Sequence, residues 1–88
     1  MDLGLRGRKA VITGSSKGLG QATAETLASE GVDVHLVARD AKALERIATD
    51  LAKRHGVETA FSALDLSDSA NVDSLFAQLS GPIDILVN

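Results

Sequence analysis

Short apolar runs and longer amphipathic stretches alternate along this chain. Lys9 to Thr13 encloses Ala10-Val11-Ile12 and stops at Gly14; a brief β-branched run closed by glycine predicts a strand buried on both faces. From Gly18 to Glu30 the residues are mostly Ala, Leu, Gln, Thr and Glu. Leu19, Thr23 and Leu27 recur at every fourth position and Gly31 stands at the stop, which predicts a helix. Val32 to Ala38 predicts a second strand. Asp40 then offers an N-cap to a segment whose Leu44, Ile47, Ala48, Leu51 and Ala52 form one stripe. That helix ends at His55-Gly56, with Lys53 and Arg54 suited to the negative end of its dipole.

Val57 to Leu64 predicts a third strand, diluted by Glu58, Thr59, Ser62 and Ala63. Ser67 or Asp68 caps a third helix that sets Val72, Leu75, Phe76 and Leu79 on one face, and Gly81-Pro82 breaks it. Ile83 to Val87 predicts a fourth strand. Strands alternating with helices at this rhythm imply right-handed crossovers and a parallel sheet, hence an α/β, doubly wound architecture. No linker, low-complexity segment or repeat beyond the βα unit interrupts it. The fourth strand reaches Asn88 without a following helix, so the expected fold is incomplete, about four strands and three helices of a larger domain.

Composition narrows the function classes. The 88 residues are 44% apolar and 24% charged, enough for one domain or part of one. A chain this short buries only about 60 to 65% of the surface its unfolded form exposes, too little to cover a complete parallel sheet comfortably on both faces. The net charge is −3, both signs are interspersed, and Trp and Tyr are absent, which argues against a nucleic-acid partner. Apolar stretches fall far short of the roughly 20 residues that cross a bilayer, and the first ten residues lack a signal-peptide core. A cytoplasmic protein without membrane contact is expected. Absence of Cys excludes disulfides, zinc thiolate sites and thiol nucleophiles.

The candidate chemistry lies between the first strand and the first helix, in Thr13-Gly14-Ser15-Ser16-Lys17-Gly18-Leu19-Gly20. Gly14 permits a tight turn, Gly18 lets the backbone approach a pyrophosphate, and Gly20 lets the helix lie close on the strand. The plain alternative is a turn in which glycine serves backbone freedom only; the order of strand, loop, helix and second strand favours the phosphate reading. A nucleoside-triphosphate loop would need Gly-Lys-Ser/Thr at its end, and Leu19 follows Gly18. Other polar residues read as structural. His35 alternates with Val34 and Leu36 and is expected to be packed and hydrogen-bonded. His55 stabilises a helix end. Asp68 is a cap rather than one of a metal pair with Asp65, and Asp84 makes an end-of-strand contact to solvent or a backbone amide.

Thr-Gly-x-x-x-Gly-x-Gly after a leading strand resembles the short-chain dehydrogenases/reductases. The resemblance extends through Ala38-Arg39, Asp65-Leu66 and Ile83-Asp84-Ile85-Leu86-Val87-Asn88, nearly the whole chain. It implies that residues 1–88 form the N-terminal part of a single Rossmann-type, NADP(H)-binding domain. It further implies that Asp65 and Leu66 border the adenine and that Asn88 lies near the cofactor ribose. Cofactor choice follows from charge. NAD selection usually places an acid about 20 residues past the loop, whereas a 2′-phosphate needs a cation. Arg39 ends the second strand and Lys17 lies within the loop, so NADP(H) is expected over NAD(H); Asp40, next door, could instead reach a ribose hydroxyl. The residues expected at the cofactor are thus Gly14, Ser15, Ser16, Lys17, Gly18, Leu19, Gly20, Arg39, Asp65, Leu66 and Asn88.

The family resemblance implies hydride transfer between nicotinamide and a carbonyl or secondary alcohol carbon, with a Ser, a Tyr and a Lys downstream of the fourth strand. This chain contains no Tyr, and neither a catalytic nor a metal-ligating residue is assigned within it. The resemblance also implies a homo-oligomer, dimer or tetramer, for the full-length parent. The rival reading is a non-catalytic module that binds or senses NADP(H).

Overall fold

The computed structural model describes residues 4–16, 18–79 and 82–87. Seven elements follow one another: β1 (Lys9–Thr13), α1 (Gly18–Ser29), β2 (Asp33–Ala38), α2 (Ala41–His55), β3 (Thr59–Ala63), α3 (Ser69–Gln78) and β4 (Ile85–Val87). The strands form one parallel sheet in the order β3-β2-β1-β4. The chain thus builds outward from β1 through β2 to β3, then returns to the other side of β1. A reversal of this kind leaves a crevice at the carboxyl edge of the central strands.

Side chains of alternate parity divide the core between the two faces of the sheet. Ala10, Ile12, Val34 and Leu36 pack with Ala24 and Ala28 of α1 and with Leu44, Ile47, Ala48 and Leu51 of α2. Val11 and Val37 point the other way, toward Leu75 of α3. Helices therefore cover both faces, and the doubly wound, Rossmann-type arrangement expected from the sequence is present. Among the described residues, no helix is long and apolar enough to cross a membrane.

Helix α2 forms as its pattern dictates. The Asp40 carboxylate accepts from the Ala43 N–H at 3.1 Å. Gly56, in the left-handed region with φ 68°, closes the helix by donating to the Ala52 carbonyl at 2.9 Å. Helix α1 departs from expectation. Leu19, placed on its apolar stripe by periodicity, is 84% exposed, while Ala24 and Ala28 are buried. The inward face is the small-residue row Gly20, Ala24, Ala28, because α1 lies too close to the sheet for larger side chains. A Cβ on Gly20 would stand 2.8 Å from the Gly14 carbonyl carbon and nearer still to its oxygen. Helix α3 also differs: Leu75 is buried, but Phe76 turns outward at 54% exposure, and Leu79 is the C-cap rather than a helical residue. The expected break at Gly81-Pro82 falls partly on Gly81, outside the described residues.

Polar contacts join the layers. The Arg54 guanidinium donates to Asp50 at 2.9 Å and to both carboxylate oxygens of Glu25, clamping α2 to α1. His55 adds a contact to Glu25 of α1 at 3.3 Å, a link between helices where the sequence suggested stabilisation of the helix end. On the α3 face, His35 Nε2 and Ser62 Oγ are 2.7 Å apart, and Ser62 donates to Gln78 Oε1 at 2.8 Å. Ser62 bridges His35 of β2 and Gln78 of α3. His35 is thus a packed, hydrogen-bonded histidine linking β2, β3 and α3.

Candidate functional site

A cleft of ≈ 690 Å³ opens at the carboxyl edge of β1, β2 and β3. Thr13, Gly14 and Ser16 form its wall on the glycine-loop side. Ala38, Arg39 and Asp40 contribute the end of β2 and the approach to α2, Ala43 and Arg46 the first turns of α2, and Leu64, Asp65 and Leu66 the segment after β3. Three sequence-distant loops meet there because parallel strands present all their carboxyl ends on one side. The volume is within the range of pockets that enclose a small ligand.

The glycine loop is held in place from below. Ser15 is fully buried; its hydroxyl accepts from the Val37 N–H at 3.0 Å, and its own N–H donates to the Val37 carbonyl at 3.2 Å. Gly14 has φ +65°, and nothing stands within 4 Å of where a Cβ would be. The loop is therefore bare of side-chain bulk at Gly14, beside the cleft, as close approach of a diphosphate requires. Thr13 donates to the Val87 carbonyl at 3.2 Å, tying the loop's first residue to β4.

The charged rim has an uneven balance of engagement. Asp40 spends one oxygen on the Ala43 N–H. Asp65 receives the Ser67 N–H at 3.0 Å and the Ser67 hydroxyl at 2.7 Å. Those two donors, with a smaller contribution from the charge of Arg39, hold the Asp65 carboxyl below its usual range. Arg39 and Arg46 are both exposed, and among the described residues neither forms an ion pair, in contrast to Arg8 with Asp84 and Arg54 with Glu25 and Asp50.

Of the residues expected at a cofactor, Gly14, Ser16, Arg39, Asp65 and Leu66 line this one cleft. Ser15 lies beneath the loop with its hydroxyl on Val37. Gly18 opens α1 beside Glu25 and Arg54 in a separate depression, Gly20 is pressed against Gly14, and Leu19 projects from the surface of α1. Lys17 and Asn88 lie outside the described residues. Sequence reading missed Arg46, which stands seven positions after Arg39 and three after Ala43; the spacing that puts it on the cleft side of α2 was available, but not how the helix is turned over the sheet. Asp68, considered with Asp65 for a metal, caps α3 through the Ala70 N–H at 2.9 Å. Asp84 accepts from the Lys9 N–H at 2.9 Å and pairs with Arg8 at 3.4 Å.

A parallel α/β sheet with a glycine loop after β1 and a cation-rimmed cleft at its carboxyl edge defines a nucleotide-binding class of fold. The short chain dehydrogenase family model matches residues 8–88, and the chain belongs to that family. It is 41% identical to the 2,3-dihydro-2,3-dihydroxybenzoate dehydrogenase of Bacillus subtilis, over 97% of this chain and 33% of the relative. It superposes on the L-sorbose reductase of Gluconobacter frateurii, solved with NADPH and L-sorbose, with TM-score 0.86 and 42% identity, over 100% of this chain and 35% of that one. The alcohol dehydrogenase of Thermococcus sibiricus, solved with 5-hydroxy-NADP, matches with TM-score 0.82 and 36% identity over 90% of this chain and 35% of that one. The chain therefore spans about a third of the length of the relatives it matches.

Proposed function

We propose that residues 1–88 are the N-terminal, cofactor-binding part of a single domain in an NADP(H)-dependent oxidoreductase acting on a carbonyl or secondary alcohol. The observation that carries this reading is Arg39, unpaired among the described residues, at the rim of a cleft whose neighbouring carboxylate, Asp40, is engaged as a helix cap. A ribose diol is best served by a free acceptor at that position, and a 2′-phosphate by a guanidinium. The NADPH and NADP-analogue complexes of the sorbose reductase and the Thermococcus alcohol dehydrogenase support the same choice.

In this reading the glycine loop from Gly14 to Gly20, with Ser16, Lys17, Gly18 and Leu19, receives the pyrophosphate, while Ser15, its N–H engaged by the Val37 carbonyl, holds the loop from below. Lys17 and Arg39 face the 2′-phosphate, Asp65 and Leu66 border the adenine, and Asn88 lies near the cofactor ribose. Bound NADP(H) supplies or accepts the hydride. The proton at the substrate oxygen comes from a part of the protein beyond these 88 residues, since the chain has no Tyr. The full-length protein works in the cytoplasm as a homo-oligomer.

The test is titration of the full-length protein with NADPH and NADH, followed by nicotinamide fluorescence, together with carbonyl-dependent loss of NADPH absorbance. Binding of NADPH about tenfold tighter or more, with that preference clearly reduced by Arg39→Ala, is the expected result. Equal or reversed preference in the native protein would sink the NADP reading. Tight NADPH binding without turnover on any carbonyl in a broad panel would sink the enzyme reading.

A further inference from the structure

The cleft rim presents two guanidinium groups from two different elements, Arg39 from the end of β2 and Arg46 from α2. Both are exposed, and neither has an ion-pair partner among the described residues. The two carboxylates on the same rim do not neutralise them by direct contact: Asp40 accepts from the Ala43 N–H, and Asp65 accepts twice from Ser67. Two planar, five-donor groups at one mouth hold more donors than a ribose hydroxyl pair can accept, and their charge matches a phosphomonoester dianion.

We propose that Arg46 is a further specificity-determining cation for the 2′-phosphate, beyond Lys17 and Arg39, acting from the α2 side of the adenosine end of the cleft. The inference rests on the NADP(H) reading and adds to it a residue that acts from α2. Arg39 leaves the sheet at a strand end, where the backbone turns into the Asp40 cap. Arg46 is carried on a helix anchored by Leu44, Ile47 and Leu51 in the core. This cation is therefore mounted on a rigid element, and its side chain reaches the rim without any rearrangement of the loop. Among the described residues Arg46 makes no ion pair, so substituting it breaks none there.

The experiment compares the full-length protein with its Arg46→Ala, Arg46→Lys and Arg39→Ala variants, measuring dissociation constants for NADPH, NADH, 2′,5′-ADP and 5′-AMP by calorimetry. Arg46→Ala is expected to weaken NADPH and 2′,5′-ADP by about tenfold while NADH and 5′-AMP change by less than about twofold. Arg46→Lys recovers part of the loss, because charge is kept and the fork is not. If Arg39→Ala shifts the NADPH-to-NADH ratio but Arg46→Ala leaves it unchanged, or weakens both cofactors equally, the role of Arg46 is overturned and the NADP(H) reading stands. If the native protein binds NADH as tightly as NADPH and 5′-AMP as tightly as 2′,5′-ADP, both fall together.

Discussion

Ser15 and Val37 are joined twice through their backbone and side chain: the Ser15 hydroxyl accepts from the Val37 N–H at 3.0 Å, and the Ser15 N–H donates to the Val37 carbonyl at 3.2 Å. The pairing continues the β1-β2 ladder two residues beyond the end of β1 at Thr13. The glycine loop thus starts as an extension of the sheet, and its position relative to Arg39, two residues past Val37, is set by main-chain geometry.

Replacing Ser15 with Ala removes the acceptor and leaves the Val37 N–H buried and unpaired. A loss of about 1 to 3 kcal/mol is expected. Urea denaturation should show a lower midpoint with an unchanged slope, and NADPH binding should weaken as the loop loosens. An unchanged midpoint would mean that water takes the place of the hydroxyl.

Gly20 and Gly14 should respond to alanine for different reasons and by different amounts. At Gly20 the new methyl meets the Gly14 carbonyl, so α1 must move off the sheet; about 3 kcal/mol or more is expected. At Gly14 the space is open and only the φ of +65° is strained, a cost of about 1 to 2 kcal/mol. The thermal midpoint of Gly20→Ala should therefore fall further than that of Gly14→Ala. The reverse order would show that α1 is not seated against the loop as described.

His35 supplies a pH dependence. Burial, and to a lesser degree the charge of Lys9, lowers its pKa from the ordinary 6.5. The unfolded chain therefore binds a proton more readily than the fold does. Stability from this group is present above about pH 6.5 and declines as the pH falls below 6.5 toward the depressed folded value. In His35→Gln that part of the slope should vanish from a plot of thermal midpoint against pH. A slope that survives the substitution would assign the dependence to other groups.

What the sequence disclosed was whatever is encoded locally. Asp40 and Gly56 delimit α2 through contacts within a few residues, and the stripe from Leu44 to Leu51 is buried as its period requires. The misjudged faces depend on distance between layers. Leu19 is apolar and periodic yet exposed, because α1 approaches the sheet so closely that the small row Gly20, Ala24 and Ala28 faces it, with Leu27 packed at the side; on α3, Leu75 takes the buried position and Phe76, one residue on, is left outside. The cleft was legible where a motif marks it, at Gly14, Arg39 and Asp65. Arg46 was not, since its place at the rim depends on how α2 is rotated about its axis, a property fixed by packing against β2 and β3. Ser15 was expected at the ligand, and its hydroxyl turned out to serve the sheet.

Strand β4 spans only Ile85 to Val87, with Ile85 and Val87 packed on the core. Two side-chain contacts add to that packing in fixing its register, one at each end of β1: Asp84 accepts from the Lys9 N–H, and Thr13 donates to the Val87 carbonyl. Sliding β4 by one residue would break both and exchange its two faces. The far end of the sheet is thereby geared to the ligand edge. A change at Asp84, remote from the cleft, would leave Thr13, at the cleft's edge, as the remaining side-chain hold on β4.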